Sequence, residues 1–281
     1  MTNKKKMALA GVLVLVMVVS AIGGTLAWLT DTASLDNAFL VGAFTPPAEP
    51  KPDPDPPKPD PTQPDPPTPR DDETGKPTTY IFEPYWNANG TNTYSAADKH
   101  RLLAGDTTVK DPYIGIGKDS ESGYVLACVT NPMKPHVYFT LCEGWEPVDG
   151  YVTEVTIDAN NSKPTAATGM FYTEGLFKWV GTNNNGDLKA LTPADTDHDG
   201  KGDGDAWTDH PVFTYVYTAK NGLTEVQKLT KEQQKMTVSA FTHQTRGKAN
   251  DAATEDTDAT TAQVVEAAKS WATDTCGYVK P

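Results

Sequence analysis

The chain has 281 residues, and its 37 acidic side chains outnumber 24 Lys and Arg, which gives a formal net charge of −13 at pH 7. This excess of acid excludes binding to nucleic-acid phosphates, because the sequence has no basic stripe to replace their counterions. Thirteen of the 23 prolines lie between Pro46 and Pro69, a stretch that can bury almost no apolar surface. About 200 residues remain from Thr78 onward, enough for one sizeable core or two small ones.

The N-terminus has the layout of an export signal. Three lysines at 4–6 precede an uncharged apolar run at 7–22, and small residues come next. The apolar run has 16 residues, which is short for a membrane-spanning helix of about 20. We predict a signal peptide over residues 1–27, with cleavage between Ala27 and Trp28. The alternative is an uncleaved signal, which would then provide the membrane attachment.

The mature chain begins with a strand segment and a linker. Residues 28–44 alternate loosely between apolar and polar side chains, which predicts short extended strands. Residues 45–77 are rich in Pro and Asp, and proline favours extended backbone, so we predict a polyproline II spacer. At about 3.1 Å per residue, the stretch from Pro46 to Pro69 would reach roughly 70 Å. The linker acts only as a spacer or offers a docking site for a proline-binding domain.

Residues 78–281 are predicted to form a mainly β domain, a jelly-roll or Ig-like β-sandwich. Short runs rich in β-branched and aromatic residues are separated by Gly, Pro and Asn, which is typical of strands and turns. The predicted strands span 124–130, 137–141, 151–157, 176–180, 212–217 and 236–241. Apolar residues at helical spacing predict one or two peripheral helices. The candidate helices span 93–103, 223–235 and 260–271.

Residues 4–44 also carry a family resemblance. The run GGTLAWLTDT at 23–32, followed by LDNAF at 35–39 and VG at 41–42, is similar to the signal and mature start of TasA/camelysin-type proteins. Farther along, shorter matches resemble the β-sandwich landmarks of that family. They are residues 110–112, 144–145, 149–151, 175–177 and 238–244, with Trp271 in the helix after them.

The resemblance implies a secreted or cell-surface protein of Gram-positive bacteria, placed in the extracellular or biofilm matrix and often fibre-forming. It also implies a dedicated, SipW-type signal peptidase as the partner during export. The camelysin name also implies a metallopeptidase activity. Such an activity would need zinc held by three protein ligands, commonly with two His one helical turn apart. None of the five histidines forms such a pair. We therefore predict no enzymatic activity and no catalytic residues, with a metallopeptidase as a remote alternative.

An Asp-rich loop is the candidate for metal binding, with calcium as the cofactor. The candidate ligands are Asp195, Asp197, Asp199, Asp203 and Asp205. Alternating carboxylates separated by Gly suit the oxygen coordination of Ca²⁺. Read as an EF-hand loop, the sequence has Ala206 where a bidentate Glu is expected, so Asp205 or Asp209 would have to substitute. The alternative is a solvated polar hairpin loop.

The three cysteines are Cys128, Cys142 and Cys276. An exported chain permits a disulfide, and Cys128 can pair with Cys142 if their strands are neighbours. An odd count leaves at least one thiol, buried or intermolecular. The alternative is three buried apolar cysteines.

These features support two functional hypotheses. In the first, the chain is a structural subunit, and its segment 28–44 adds to an open sheet edge of a neighbouring molecule, giving self-association into filaments. The same segment can instead pack into its own sandwich. In the second, the domain is a calcium-dependent adhesin, and those of its aromatic residues that lie on the surface bind sugars, although we expect most of them in the core. The aromatic candidates are Trp86, Tyr94, Trp145 and Trp207.

Overall fold

The structure is a computed structural model of the chain. It describes residues 30–38, 40–41, 78–84, 101–102, 104–105, 107–118, 120–156, 170–182, 186–194, 204–247 and 257–280. The predicted signal peptide at 1–27 and linker at 45–77 lie outside these residues, so both stay predictions from the sequence.

Sixteen strands and two helices make up the described part of the chain. The strands are β1 (Thr30–Ala38), β2 (Leu40–Val41), β3 (Thr79–Phe82), β4 (Arg101–Leu102), β5 (Thr107–Val109), β6 (Tyr113–Ile116), β7 (Gly123–Thr130), β8 (Val137–Phe139), β9 (Trp145–Val155), β10 (Phe171–Trp179), β11 (Ala190–Leu191), β12 (Ala206–Trp207), β13 (Tyr215–Thr218), β14 (Lys235–Gln244), β15 (Arg246–Gly247) and β16 (Thr257–Asp258). The helices are α1 (Leu223–Gln227) and α2 (Thr261–Asp274).

Nine strands form one large antiparallel sheet. Its strand order is β1-β14-β7-β10-β8-β13-β5, with β11 also paired to β7 and β9 to β10. A smaller antiparallel sheet has the order β12-β6-β3. This arrangement confirms the predicted mainly β, sandwich-like fold with peripheral helices.

The large sheet is covered on both faces near its centre. On one face, Ile114 of β6 is buried with Val125 of β7 and Val238 of β14 in the main core. The alternate residues of the same strands point the opposite way, and Leu126 and Phe241 belong to a second core that α2 covers. Because both faces are covered, β7 and β14 are buried along most of their length.

Helix α2 confirms the helix predicted at 260–271. Thr260 and Gln263 form a capping box, in which each side chain bonds the backbone amide of the other residue. Val264, Ala268 and Ala272 recur at helical spacing, and all three are buried. Their face packs onto the second core, which fixes the helix against the sheet.

The helix predicted at 223–235 is wrong over most of its length. Helix α1 ends at Gln227, and a turn leads from there into β14. The Gln234 side chain donates to the carbonyls of Val226 and Leu229 at 3.2 and 2.9 Å. In a longer helix these two carbonyl oxygens would accept bonds from backbone N–H groups of the next turn. Because the Gln234 side chain bonds them instead, the chain can leave the helix after Gln227. The helix predicted at 93–103 is wrong at its described end, because Arg101–Leu102 form β4 beside β2.

Candidate functional site

The N-terminal strand β1 lies along β14 at the edge of the nine-stranded sheet. The pairing is antiparallel and in register over nine residues, from Thr30 opposite His243 to Ala38 opposite Lys235. On its other side β14 pairs with β7, whereas β1 has no second hydrogen-bonded neighbour among the described strands. β1 therefore covers a backbone edge that β14 would otherwise expose.

The side chains of β1 follow the alternation of a strand that is buried on one side. Asp31, Ala33 and Leu35 are half-buried, whereas the two residues between them are exposed. Leu35 lies opposite Val238, and Ala33 lies opposite Ala240. Both partners belong to the main core, so β1 closes the rim of that core with small or medium apolar side chains.

Side-chain hydrogen bonds hold β1 in addition to the backbone ladder. The backbone N–H of Thr79 donates to Asp31 Oδ2 at 2.5 Å, and the Thr79 hydroxyl donates to Thr242 Oγ1 at 2.7 Å. On the other face of the sheet, the Ser239 hydroxyl donates to Ser34 Oγ at 3.0 Å. These contacts tie β1 to both β3 and β14. Together with the ladder they define the candidate assembly site, the groove between β14 and Thr79 that receives β1.

The predicted cleavage residues Ala27 and Trp28 lie outside the described residues. The described part of the mature N-terminal segment begins at Thr30 and forms β1 and β2. The strand character predicted for residues 28–44 is therefore confirmed over 30–38 and 40–41. The cleavage position stays a prediction.

Four of the five predicted calcium ligands, Asp195, Asp197, Asp199 and Asp203, also lie outside the described residues. The fifth is Asp205, whose Oδ1 accepts a hydrogen bond from the backbone N–H of Lys118 at 2.8 Å. The ends of the loop are described, because Ala194 and Gly204 form an isolated antiparallel bridge. The bridge brings together the two described residues that flank positions 195–203, and the calcium site itself stays a prediction.

The alternative calcium ligand Asp209 accepts a salt bridge from Lys189 Nζ at 3.0 Å. Within the ranges that the structure covers, no group of three or more His, Cys, Asp or Glu side chains is arranged to hold a metal ion. Asp205 and Asp209 are thus held by protein donors in this conformation.

The predicted Cys128–Cys142 disulfide is not formed, and the reason lies in the direction of the two side chains. Cys128 belongs to the second core under α2, whereas Cys142 packs against the main core on the opposite face of the sheet. Cys142 Sγ lies 3.1 Å from Thr214 Oγ1, within hydrogen-bonding distance of that hydroxyl. The sequence order of the strands could not reveal this, because it does not state which face each cysteine takes.

The aromatic residues proposed for sugar binding occupy different environments. Trp86 and Tyr94 lie outside the described residues. Trp145 is buried, and its indole N–H donates to a backbone carbonyl at 3.1 Å. Trp207 is half-buried, and its ring stacks on Tyr80 with centroids 6.2 Å apart. Trp145 is therefore a core residue, and Trp207 is a side chain of the smaller sheet.

A buried ion pair is the feature that sequence reasoning missed. Lys110 Nζ donates to Glu83 Oε1, and both side chains have no solvent exposure. The ammonium also lies 6.0 Å from the centroid of the Phe213 ring. Burial lowers the pKa of Lys110, and the Glu83 carboxylate opposes that shift. The run Lys110-Asp111-Pro112 resembles a family landmark, but Glu83, the charge partner of Lys110, lies 27 positions away in the sequence.

Comparisons of the chain with family models, with curated proteins and with solved structures found no match. The TasA/camelysin resemblance of residues 4–44 therefore stays a prediction. Among the described residues, neither helix has the length and apolar character that crossing a membrane requires.

Proposed function

We propose that this chain is an exported structural subunit of the cell surface or biofilm matrix, which self-associates by donating its N-terminal strand to a neighbouring molecule. The observation that carries the proposal is the position of β1, an edge strand joined to β14 over nine register pairs and followed in sequence by the long Pro-rich linker. In the donated arrangement, β1 of one molecule occupies the candidate assembly site of the next.

The linker is much longer than a connection within one molecule requires. Asp31 contacts Thr79. The ten residue-to-residue steps from Asp31 to Val41 span at most about 35 Å, so the gap from Val41 to Thr78 is at most about 40 Å. The 36 residues between Val41 and Thr78 reach about 120 Å when extended. A domain of this size is about 40 Å across. The length of linker beyond what the gap requires is therefore sufficient for β1 to reach a neighbouring molecule.

The contacts of β1 suit exchange between molecules. β1 binds β14 mostly through backbone hydrogen bonds, and its side chains are small. The same backbone bonds form whether β1 lies on its own β14 or on that of a neighbour. A molecule that donates β1 leaves its own assembly site free for a third molecule. The contact is head to tail and does not close on itself, so it extends into filaments. This role requires no catalytic residue.

Electron microscopy and light scattering of the purified mature protein test the proposal. We expect filaments from the chain that begins at Trp28. Deletion of residues 28–44 should abolish the filaments while circular dichroism still reports a folded β domain. Filaments of normal length after this deletion would contradict strand donation.

A matched control separates strand donation from the contribution of β1 to folding. Deletion of Pro46–Pro69 keeps β1 but leaves a linker that spans only about 40 Å. We expect this variant to be a monomer with an unchanged Tm, because its β1 reaches its own β14 alone. Filaments formed by this variant would show that the linker is not needed for assembly.

A second candidate function is a calcium-dependent surface adhesin. The observation in its favour is the bridge between Ala194 and Gly204, the two described residues that flank the sequence positions of Asp195, Asp197 and Asp199. Extracellular sites of this kind bind calcium at about 10⁻⁴–10⁻³ M. Millimolar calcium should therefore raise the Tm of the wild type and leave an Asp197→Asn/Asp199→Asn variant unchanged. A wild-type Tm that does not respond would remove calcium from the proposal.

A further inference from the structure

Strand β1 ends the nine-stranded sheet with a long and regular edge. Its register with β14 runs over nine residues without a bulge, and among the described strands no other is bonded to its outer side. Sheet edges are normally protected by short strands, by bulges, or by Pro and Lys. Residues 30–38 contain neither Pro nor Lys, whereas β5, at the other end of the sheet, has only three residues. The edge of β1 therefore lacks these protections against pairing with another strand.

The middle of the β1 edge is uncharged. Residues 32–35 contain no ionisable side chain. Two of them, Thr32 and Ser34, are exposed, and the other two are half-buried at the rim of the main core. The carboxylate of Asp31 accepts the bond from the backbone N–H of Thr79, so this charge is held toward its own domain. A second strand can therefore approach the middle of β1 without meeting an opposing charge.

The sequence of β1 complements itself when two copies run antiparallel. If the two-fold axis passes through Ser34, all nine residues of the strand are paired. Ala33 of each copy then lies opposite Leu35 of the other, and both are the half-buried residues of the core side. Apolar side chains opposite each other stabilise a strand pair, so the rims of the two cores would cover each other.

The charges of β1 favour the same register. Asp31 falls opposite Asn37, and Asp36 falls opposite Thr32, so no two like charges are directly opposite each other. A two-fold axis at either Asp would place two carboxylates opposite each other. An axis at any other residue of the strand would pair fewer than nine residues. Length and charge therefore both favour the register centred on Ser34.

We propose that the outer edge of β1 pairs with β1 of a second copy of this chain, antiparallel and with Ser34 on the two-fold axis. The two nine-stranded sheets then join into one continuous sheet. The contact measures about 30 Å by 10 Å on each partner, roughly 600 Å² in total, which is the size of a weak contact. Single molecules therefore pair only briefly, and the monomer predominates at low concentration.

Repetition strengthens this contact in a filament, and at this point the inference rests on the proposed strand donation. Each subunit of a filament carries one β1 edge, so two filaments side by side form many pairs at once. We expect filaments to associate laterally into bundles for this reason. The pairing itself does not depend on donation, because β1 presents the same outer edge on its own β14 and on that of a neighbour.

Cysteine cross-linking of the full mature chain tests the register. Ser34→Cys places two thiols opposite each other, within the roughly 7 Å between Cα atoms that a disulfide allows. Thr32→Cys is the matched control, because Thr32 is also exposed but would lie about 14 Å from Thr32 of the second copy. After mild oxidation, we expect at least about five times more cross-linked dimer from Ser34→Cys. The wild type, oxidised in parallel, gives the background from its three native cysteines.

Two charge variants test the same register without a new cysteine. Thr32→Asp puts a carboxylate at the position opposite Asp36 of the second copy, whereas Thr32→Lys puts an ammonium there. We expect fewer bundles per filament from Thr32→Asp than from the wild type, and at least as many from Thr32→Lys. Electron micrographs measure both numbers in the same sample.

The outcomes separate edge pairing from strand donation. Equal cross-linking of Ser34→Cys and Thr32→Cys, or no dimer above the wild-type background, would overturn the inference. Equal bundling of Thr32→Asp and Thr32→Lys would refute the register. Filaments without the cross-link contradict edge pairing alone, whereas the cross-link without filaments contradicts strand donation alone.

Discussion

The backbone N–H of Thr79 donates a hydrogen bond to the carboxylate of Asp31 across 48 positions of sequence. The bond joins β3, which comes after the predicted linker, to β1, which precedes it. Because the Thr79 hydroxyl also donates to Thr242 of β14, three strands meet at this residue. The N-terminal strand is thus held by a specific polar contact as well as by its backbone ladder.

Replacement of Asp31 by Ala should weaken the attachment of β1. The variant loses a hydrogen bond to a charged acceptor, which is worth about 1.5–3 kcal/mol. Urea unfolding of the mature chain measures the loss, and hydrogen exchange should show faster exchange in β1. Asp31→Asn is the matched control, because it keeps an acceptor oxygen and should lose less. Equal stability of Asp31→Ala and the wild type would exclude a structural role for this contact.

Replacement of Lys110 by Met should destabilise the domain strongly. The Glu83 carboxylate would remain buried without the ammonium that bonds it, and breaking a buried pair in this way costs about 3–5 kcal/mol. The double variant Glu83→Gln/Lys110→Met removes both charges and should recover part of that loss. Denaturant unfolding of the two single variants and the double variant measures the coupling. Additive losses would mean that the two charges do not stabilise each other.

Stability should fall as the solution becomes acidic, with His243 as one contributor. Burial lowers the pKa of His243 below its usual value, so the unfolded chain binds a proton at a higher pH than the folded chain. The contribution of this residue is complete above the unfolded pKa of about 6.5 and is lost as the pH falls below it. Thermal melts between pH 7.5 and about 5 should show a smaller drop for His243→Gln. An equal drop in Tm for the wild type and His243→Gln would mean that other titratable groups cause the pH dependence.

Replacement of Gly175 by Ala should distort the pairing of β10 with β9. Gly175 has φ of 150°, and a Cβ there would lie 2.8 Å from the carbonyl oxygen of Tyr151. The pairing is irregular at this position, and we expect a loss of about 2–3 kcal/mol from backbone strain and contact. Gly186→Ala is the control, because its φ is also positive but its nearest neighbour is 3.6 Å away. Similar losses in the two variants would mean that the close approach is not the cause.

Local sequence patterns were sufficient for the strands that form the centre of the sheet. The runs predicted at 124–130 and 236–241 lie within β7 and β14, because β-branched and aromatic residues there leave little helical preference. The prediction of a helix at 223–235 was wrong, and the spacing of apolar residues along the chain could not reveal why. The Gln234 side chain takes the carbonyls of Val226 and Leu229, and this contact depends on a turn that brings the side chain back.

The candidate assembly site was predicted in part. Alternation in residues 28–44 predicted an extended segment, and the Pro-rich linker made its attachment to a neighbour conceivable. The partner strand was not predicted, because the nine-residue register of β1 with β14 joins segments separated by about 200 positions. Four of the five predicted calcium ligands are outside the described residues, and the calcium site stays a prediction.

The amino-acid sequence by itself determined the acidic charge, the Pro-rich segment before Thr78 and the mainly β character of the chain from Thr78 onward. These properties depend on composition and on neighbours along the chain. Only the tertiary structure decided that Lys110 meets Glu83 and that Cys128 and Cys142 lie on opposite faces of the sheet. The physical reason is that alternation indicates when a side chain changes face, whereas the order and register of distant strands decide what it meets on that face.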